Sequence, residues 1–256
     1  MSLNVLATAH GQFLEAFRIT NYLNISLFGV DVSVSNSVIW MWLAAMTAFL
    51  SFFYMARPVS IVPGRLQALA EMGYLFILNM VENNIRPEGR HYFPLLFTLF
   101  YFILFCNFLG LIPGAFTPTA QIVVTGSLAM GVFLYTVLLR FTKHGLGFFR
   151  AFVPKGTPGW LLPLMVPIEL LSFLARPMTL AVRLFANMTA GHTVLSVIAV
   201  LGLAIPWALA WLPLGLSVVL MAAEVLIGFI QAYIFTILTC VYIDDAFGET
   251  EHQEVG

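Results

Sequence analysis

Charge is scarce in this chain: 11 Lys and Arg and 12 Asp and Glu among 256 residues, 9% of the total. Soluble domains carry about 25% charged residues. With 61% hydrophobic residues, the chain has more apolar surface than a water-soluble core absorbs, so lipid is the expected solvent. A net charge of −1 offers nothing to a nucleic acid. Cysteine is also rare. Cys106 and Cys240 both lie inside apolar runs, as small buried hydrophobes rather than a disulfide or a metal site. No basic segment leads into an apolar run at the start, because His10, Glu15 and Arg18 interrupt it, which argues against a cleaved signal. Internal repeats and low-complexity tracts are missing. So is a glycine-rich phosphate loop with its lysine, which argues against a nucleotide site, and no cofactor or metal is expected.

What is present is a series of long apolar segments. A spanning helix takes about 20 apolar residues. The expected fold is an all-α integral membrane protein with five membrane helices at about 38–56, 92–113, 121–139, 163–203 and 214–243. Residues 64–86 read differently. Gln67, Glu71 and Glu82 fall within about 60° of one another on a helix, while Leu66, Leu69, Ile77 and Met80 lie elsewhere, which predicts an interfacial amphipathic helix. Residues 1–35 form an N-terminal extracytoplasmic segment, and residues 246–256 form an acidic tail.

Basic and neutral connections alternate. Arg57, Arg65, Arg86 and Arg90 lie between the first two spans, and Arg140, Lys143, Arg150 and Lys155 between the third and fourth. The connections 114–120 and 202–215 have neither lysine nor arginine. The positive-inside rule then places the basic loops and the C-terminus in the cytoplasm and the N-terminus outside, with Trp207 and Trp211 in an outer aromatic belt. The fourth segment is too long for a simple span: 160–203, if wholly helical, measures about 66 Å against a hydrocarbon core of about 30 Å. Either part of each of the last two segments leaves the core or the two helices are strongly tilted as a hairpin, and a hairpin so tilted needs a curved partner to lie against.

Charge inside such helices is costly, and its default reading is functional. In the fourth segment Glu169, Ser172, Arg176, Thr179, Arg183 and Asn187 form one polar stripe about 27 Å long. His192 points about 180° away from Arg183. Folding the hairpin near residues 208–210 sets His192 at the depth of Glu224 and Arg183 within about a turn of Gln231. Imidazole and carboxylate change protonation in a working pH range, so His192 and Glu224 make a relay entering from outside, which Asn107 extends through water. Glu169, Ser172 and Thr179 make a second wet path from the cytoplasm. Arg183 stays cationic and cannot relay a proton, so it separates the two paths. Such half-paths need a mobile carboxylate on a partner to carry the proton between them. Each residue also has a plainer reading. Arg183 could be an internal ion-pair partner, Arg176 could snorkel to head groups and Glu169 could be interfacial. His192 and Glu224 could be structural, and Asn107 could join helices.

These residues resemble a known family. Arg183-Leu-Phe-Ala-Asn-Met188 with Ala190-Gly191-His192 is similar to the signature of subunit a of the F-type rotary ATP synthase. Pro167-Ile-Glu169, Arg176-Pro177, the segment from Asn107 to Pro113, and Gln231-Ala-Tyr-Ile-Phe235 also look like that family. The resemblance implies a stator subunit beside a ring of c subunits, together with the peripheral-stalk b subunits and the rest of the ATP synthase complex. It implies that Arg183 faces the ring, that His192, Glu224, Asn107 and Gln231 belong to the outer half-channel, and that Glu169 and Ser172 belong to the cytoplasmic one. It also implies a cell inner membrane location rather than an organelle membrane. Some relatives carry the acid on the arginine's helix and the imidazole on the next; here the order is reversed. Ala186 stands where many relatives have glycine. A self-contained proton-coupled transporter is the alternative, against which stands the lack of a repeat. An intramembrane metalloprotease is a third reading, against which stands the lack of His-Glu-x-x-His.

Overall fold

The computed structural model describes residues 21–23, 26–27, 30–31, 33–55, 57, 63–85, 87–112, 115–145, 161–204, 206, 209 and 211–247. Residues 1–20, Arg86, Arg150, Lys155, Trp207 and residues 248–256 lie outside them, with whatever was expected of each.

The described residues form six α-helices: α1 (Asn36–Met55), α2 (Arg65–Asn84), α3 (Phe93–Gly110), α4 (Ile122–His144), α5 (Leu162–Ala204) and α6 (Trp211–Phe247). Five of these, all but α2, are long and apolar enough to cross a membrane, α3 together with the helical turn before it. Ahead of α1, four short strands pair antiparallel: β1 (Asn21–Leu23) with β4 (Val34–Ser35), and inside them β2 (Ser26–Leu27) with β3 (Val30–Asp31). Alternation within this segment is too short to read from the sequence as strand.

Local chemistry explains several boundaries. A 3-10 turn over Pro87–Tyr92 leads into α3, where Pro94 sits in the first turn, a position that needs no N–H. α4 ends at Gly145, whose φ of 54° is left-handed and whose N–H donates to the Phe141 carbonyl. α5 continues through Pro167 and Pro177, as membrane helices tolerate. α2 carries Arg65, Glu71 and Glu82, and Glu82 pairs with Arg90 at 2.5 Å on its polar side. Its opposite side buries Ile77, Met80 and Val81 in the common core.

In lipid, helix association rests on close packing rather than on hydrophobic burial. α3 is the most enclosed span, with 39% of its window buried against 6% for α1 at the edge. Leu96, Phe100 and Ile103 of α3 meet Leu180 and Leu184 of α5 and Phe235 and Ile243 of α6 in one fully buried cluster. α5 and α6 pack against each other and against this centre. At 43 and 37 residues they measure about 64 and 55 Å. Both exceed an apolar core of about 30 Å, so tilt or protrusion must accommodate the difference.

Candidate functional site

The α5–α6 hairpin has a definite register. Outward from its turn, Gly202 lies against Pro213, Gly191 against Glu224, Asn187 beside Gln231 and Arg176 beside Asp245. On α6 the inward face carries Glu224, Gly228, Gln231, Phe235 and Thr239, spaced three and four apart. Glu224 and Gln231 thus share a buried face.

Polar side chains from four segments converge there. Glu224 is 4% exposed, and among the described residues neither carboxyl oxygen has a hydrogen-bond partner. It packs onto the bare Cα of Gly191, one residue before His192. The His192 ring reaches the connection between α3 and α4 instead, where Nε2 lies 2.7 Å from the hydroxyl of Thr117. Beside it Thr119 donates to Asn107 Oδ1 at 2.9 Å, and Asn107 Nδ2 donates to the Gly228 carbonyl at 3.0 Å. Asn187 Nδ2 donates to Gln231 Oε1 at 3.4 Å. Unpaired buried polar groups are expensive, so Glu224 and the unpartnered Gln231 Nε2 mark the least satisfied point of an otherwise bonded cluster.

Arg183 lies elsewhere. The buried side of α5 is formed by Pro177, Leu180, Ala181, Leu184 and Met188, and Arg183 is exposed on its flank. Among the described residues it makes no side-chain hydrogen bond or salt bridge to any carboxylate of its own chain. Thr179, Ala186 and Ala190 are exposed on the same strip. Glu169 is half-buried and Ser172 exposed, about 21 and 16 Å along the axis from Arg183. Arg176, on the same strip, is tied down: Nη1 meets Asp245 Oδ2 at 3.2 Å, and its guanidinium carbon stands 5.8 Å from the centre of the Tyr242 ring. Arg140 Nη2 donates to the Asp245 carbonyl at 2.9 Å.

Residues 38–244 match the family described as ATP synthase A chain. The chain belongs to the ATP synthase subunit a family. It is 51% identical over 237 residues to ATP synthase subunit a of Magnetococcus marinus, covering 91% of this chain and 92% of the relative. It is 49% identical over 226 residues to ATP synthase subunit a of Acidiphilium cryptum, covering 86% and 90%. As a member of the subunit a family, it is a multi-pass component of a membrane sector.

Within this subunit a chain the hairpin brings Glu224 to the residue beside His192, and Asn187 to Gln231. Asn107 joins them through Gly228. Glu169, Ser172 and Thr179 stand apart from that cluster on the flank. Thr117, Thr119 and Asp245 had no sequence signal of a site. The two threonines sit in an aperiodic connection, and Asp245 falls just past the expected last span (214–243) and before the expected acidic tail, although α6 continues through Phe247.

Proposed function

We propose that this chain is the proton-translocating stator subunit of an ATP synthase and, lacking a nucleotide site, not its catalyst. Two offset aqueous half-channels load and unload protons on the carboxylates of a rotating c-ring. Asn107, His192, Glu224, Gln231 and Asn187 line the outer one. Glu169, Ser172 and Thr179 line the cytoplasmic one, and Arg176, fixed by Asp245, borders it. The b subunits hold the chain against rotation. It resides in a cell inner membrane with its N-terminus outside and its C-terminus in the cytoplasm.

One observation carries this reading. Arg183 is a permanent cation on an exposed strip of an apolar helix, without a carboxylate partner among the described residues, while His192 turns inward on the opposite side. A charge left exposed on a membrane helix is costly, and an anion brought by a neighbouring helix would offset that cost. Thr179, Ala186 and Ala190 are small enough to let a helix come close beside it. A ring carboxylate meeting Arg183 is ionised there, and it takes up a proton before it re-enters lipid. Each proton crossing the membrane releases about 2.3 kcal/mol per 100 mV.

Cross-linking tests this arrangement. Cysteines introduced at Ala186 or Ala190 should form disulfides with cysteines placed one turn from the carboxylate of a c-subunit helix. Cysteines at Leu164 or Val123 should not. Absence of any cross-link from the Arg183 strip in assembled complex would refute it.

A further inference from the structure

We propose that Thr117 is a positioning residue that holds His192 in one tautomer, with the proton on Nε2. The proposal rests on the outer-channel reading of His192 for its functional consequence, but not for its geometry.

Thr117 occupies a tight place. It is 6% exposed, and its side chain is pressed against Gly110 at the end of α3. An added Cβ at Gly110 would stand 2.9 Å from Thr117 Cβ, and nearer still to its Oγ1 and Cγ2, so glycine at 110 is what admits the threonine. Among the described residues its hydroxyl has two hydrogen-bonding neighbours, the Gly110 carbonyl at 3.2 Å and His192 Nε2 at 2.7 Å. A hydroxyl has one hydrogen to give and lone pairs to accept with. A carbonyl oxygen can only accept. Both contacts are satisfied together only when Thr117 donates to Gly110 and accepts from His192 Nε2–H.

That fixes the ring chemistry. A neutral imidazole carries one N–H, so a proton held at Nε2 leaves Nδ1 as its basic nitrogen. A proton reaching His192 adds at Nδ1 and gives imidazolium. Loss of the same proton restores the starting tautomer with Thr117 undisturbed. Thr117 passes no proton itself, since its one hydrogen stays on its own oxygen, donated to the Gly110 carbonyl. It orients the ring and sets which nitrogen takes part. The serine hydroxyl can do the same; valine, of equal shape, cannot.

The test is ¹⁵N NMR of histidine-labelled, assembled complex in lipid vesicles, with the His192 signals identified by their loss in His192→Gln. The expected spectrum shows protonated Nε2 and unprotonated Nδ1 in the native chain and in Thr117→Ser, with the other tautomer or a mixture in Thr117→Val. Passive proton conduction through the membrane sector should fall about tenfold in Thr117→Val, the upper scale of losing one hydrogen bond, and recover in Thr117→Ser. A native Nδ1–H signature, or a Thr117→Val spectrum like the native one, overturns the proposal. A changed tautomer with unchanged conduction upholds the hydrogen-bond assignment and refutes the outer-channel role of His192.

Discussion

Glu224 rests its carboxyl group directly on the Cα of Gly191, so that the absent side chain at 191 makes the space for the acid. An alanine methyl at 191 would lie 2.7 Å from the carboxyl carbon and closer to one oxygen. The contact crosses the hairpin and sets the acid beside the residue that carries the imidazole.

Gly191→Ala should therefore displace Glu224 while leaving the hairpin assembled. Passive proton flow through membrane-sector vesicles should drop, and Glu224→Asp in the same chain, one methylene shorter, should recover part of it. Equal flow in Gly191→Ala and native vesicles would show that the position of the acid does not matter.

His192 and Glu224 should each hamper proton flow when replaced by alanine. Exchanging them should restore part of it, because imidazole and carboxylate would still occupy one buried cluster. Measured by quenching of a pH dye on applying a potential, a dead exchange variant would argue against a simple relay between them and for separate duties. Thr117 gives a reason for incomplete rescue, since its hydroxyl faces position 192 and not 224.

Asn107→Ala should cost stability as well as conduction. It removes hydrogen bonds to Gly228 and Thr119, and membrane hydrogen bonds average about 0.6 kcal/mol each. A loss of about 1 kcal/mol should lower the midpoint of detergent or thermal unfolding. Asn107→Gln, with the same groups on a longer stem, should not restore it in so tight a space.

Asp245→Asn should matter little for folding. Its pair with Arg176 is 39% and 44% exposed, and pairs of that kind are worth about 0–1 kcal/mol. The Arg140 bond goes to the backbone and survives the change. Proton exit on the cytoplasmic side should respond more than stability does, since Arg176 is released to move along the strip toward Glu169. Unaltered exit rates would confine Asp245 to packing.

Much of this arrangement was legible from residue spacing. The flank bearing Arg183, Arg176 and Asn187 follows from the helical period, because a charge in a lipid-facing helix has few places to go. The level of His192 and Glu224 follows from folding two long helices at a proline-rich turn, and the contact of Gly191 with Glu224 matches it. The 3.6-residue period cannot say which neighbour a side chain chooses. His192 bonds to Thr117 across 75 residues, through a connection that has no period at all. Asp245 was hidden differently: an acid just past an apolar span that ends near residue 243 reads as a solvated helix end. Ile243, Ala246 and Phe247 nonetheless continue the buried face of α6 and carry Asp245 on to Arg176. The paired strands before α1 were unreadable because each is only two or three residues long.

The most direct measurement is ATP-driven proton pumping together with passive leak in vesicles carrying Arg183→Ala in the assembled complex. Loss of pumping, with protons slipping between the two half-channels when the catalytic sector is idle, is the expected result. Pumping at the native rate with a tight membrane would contradict the role given to the cation.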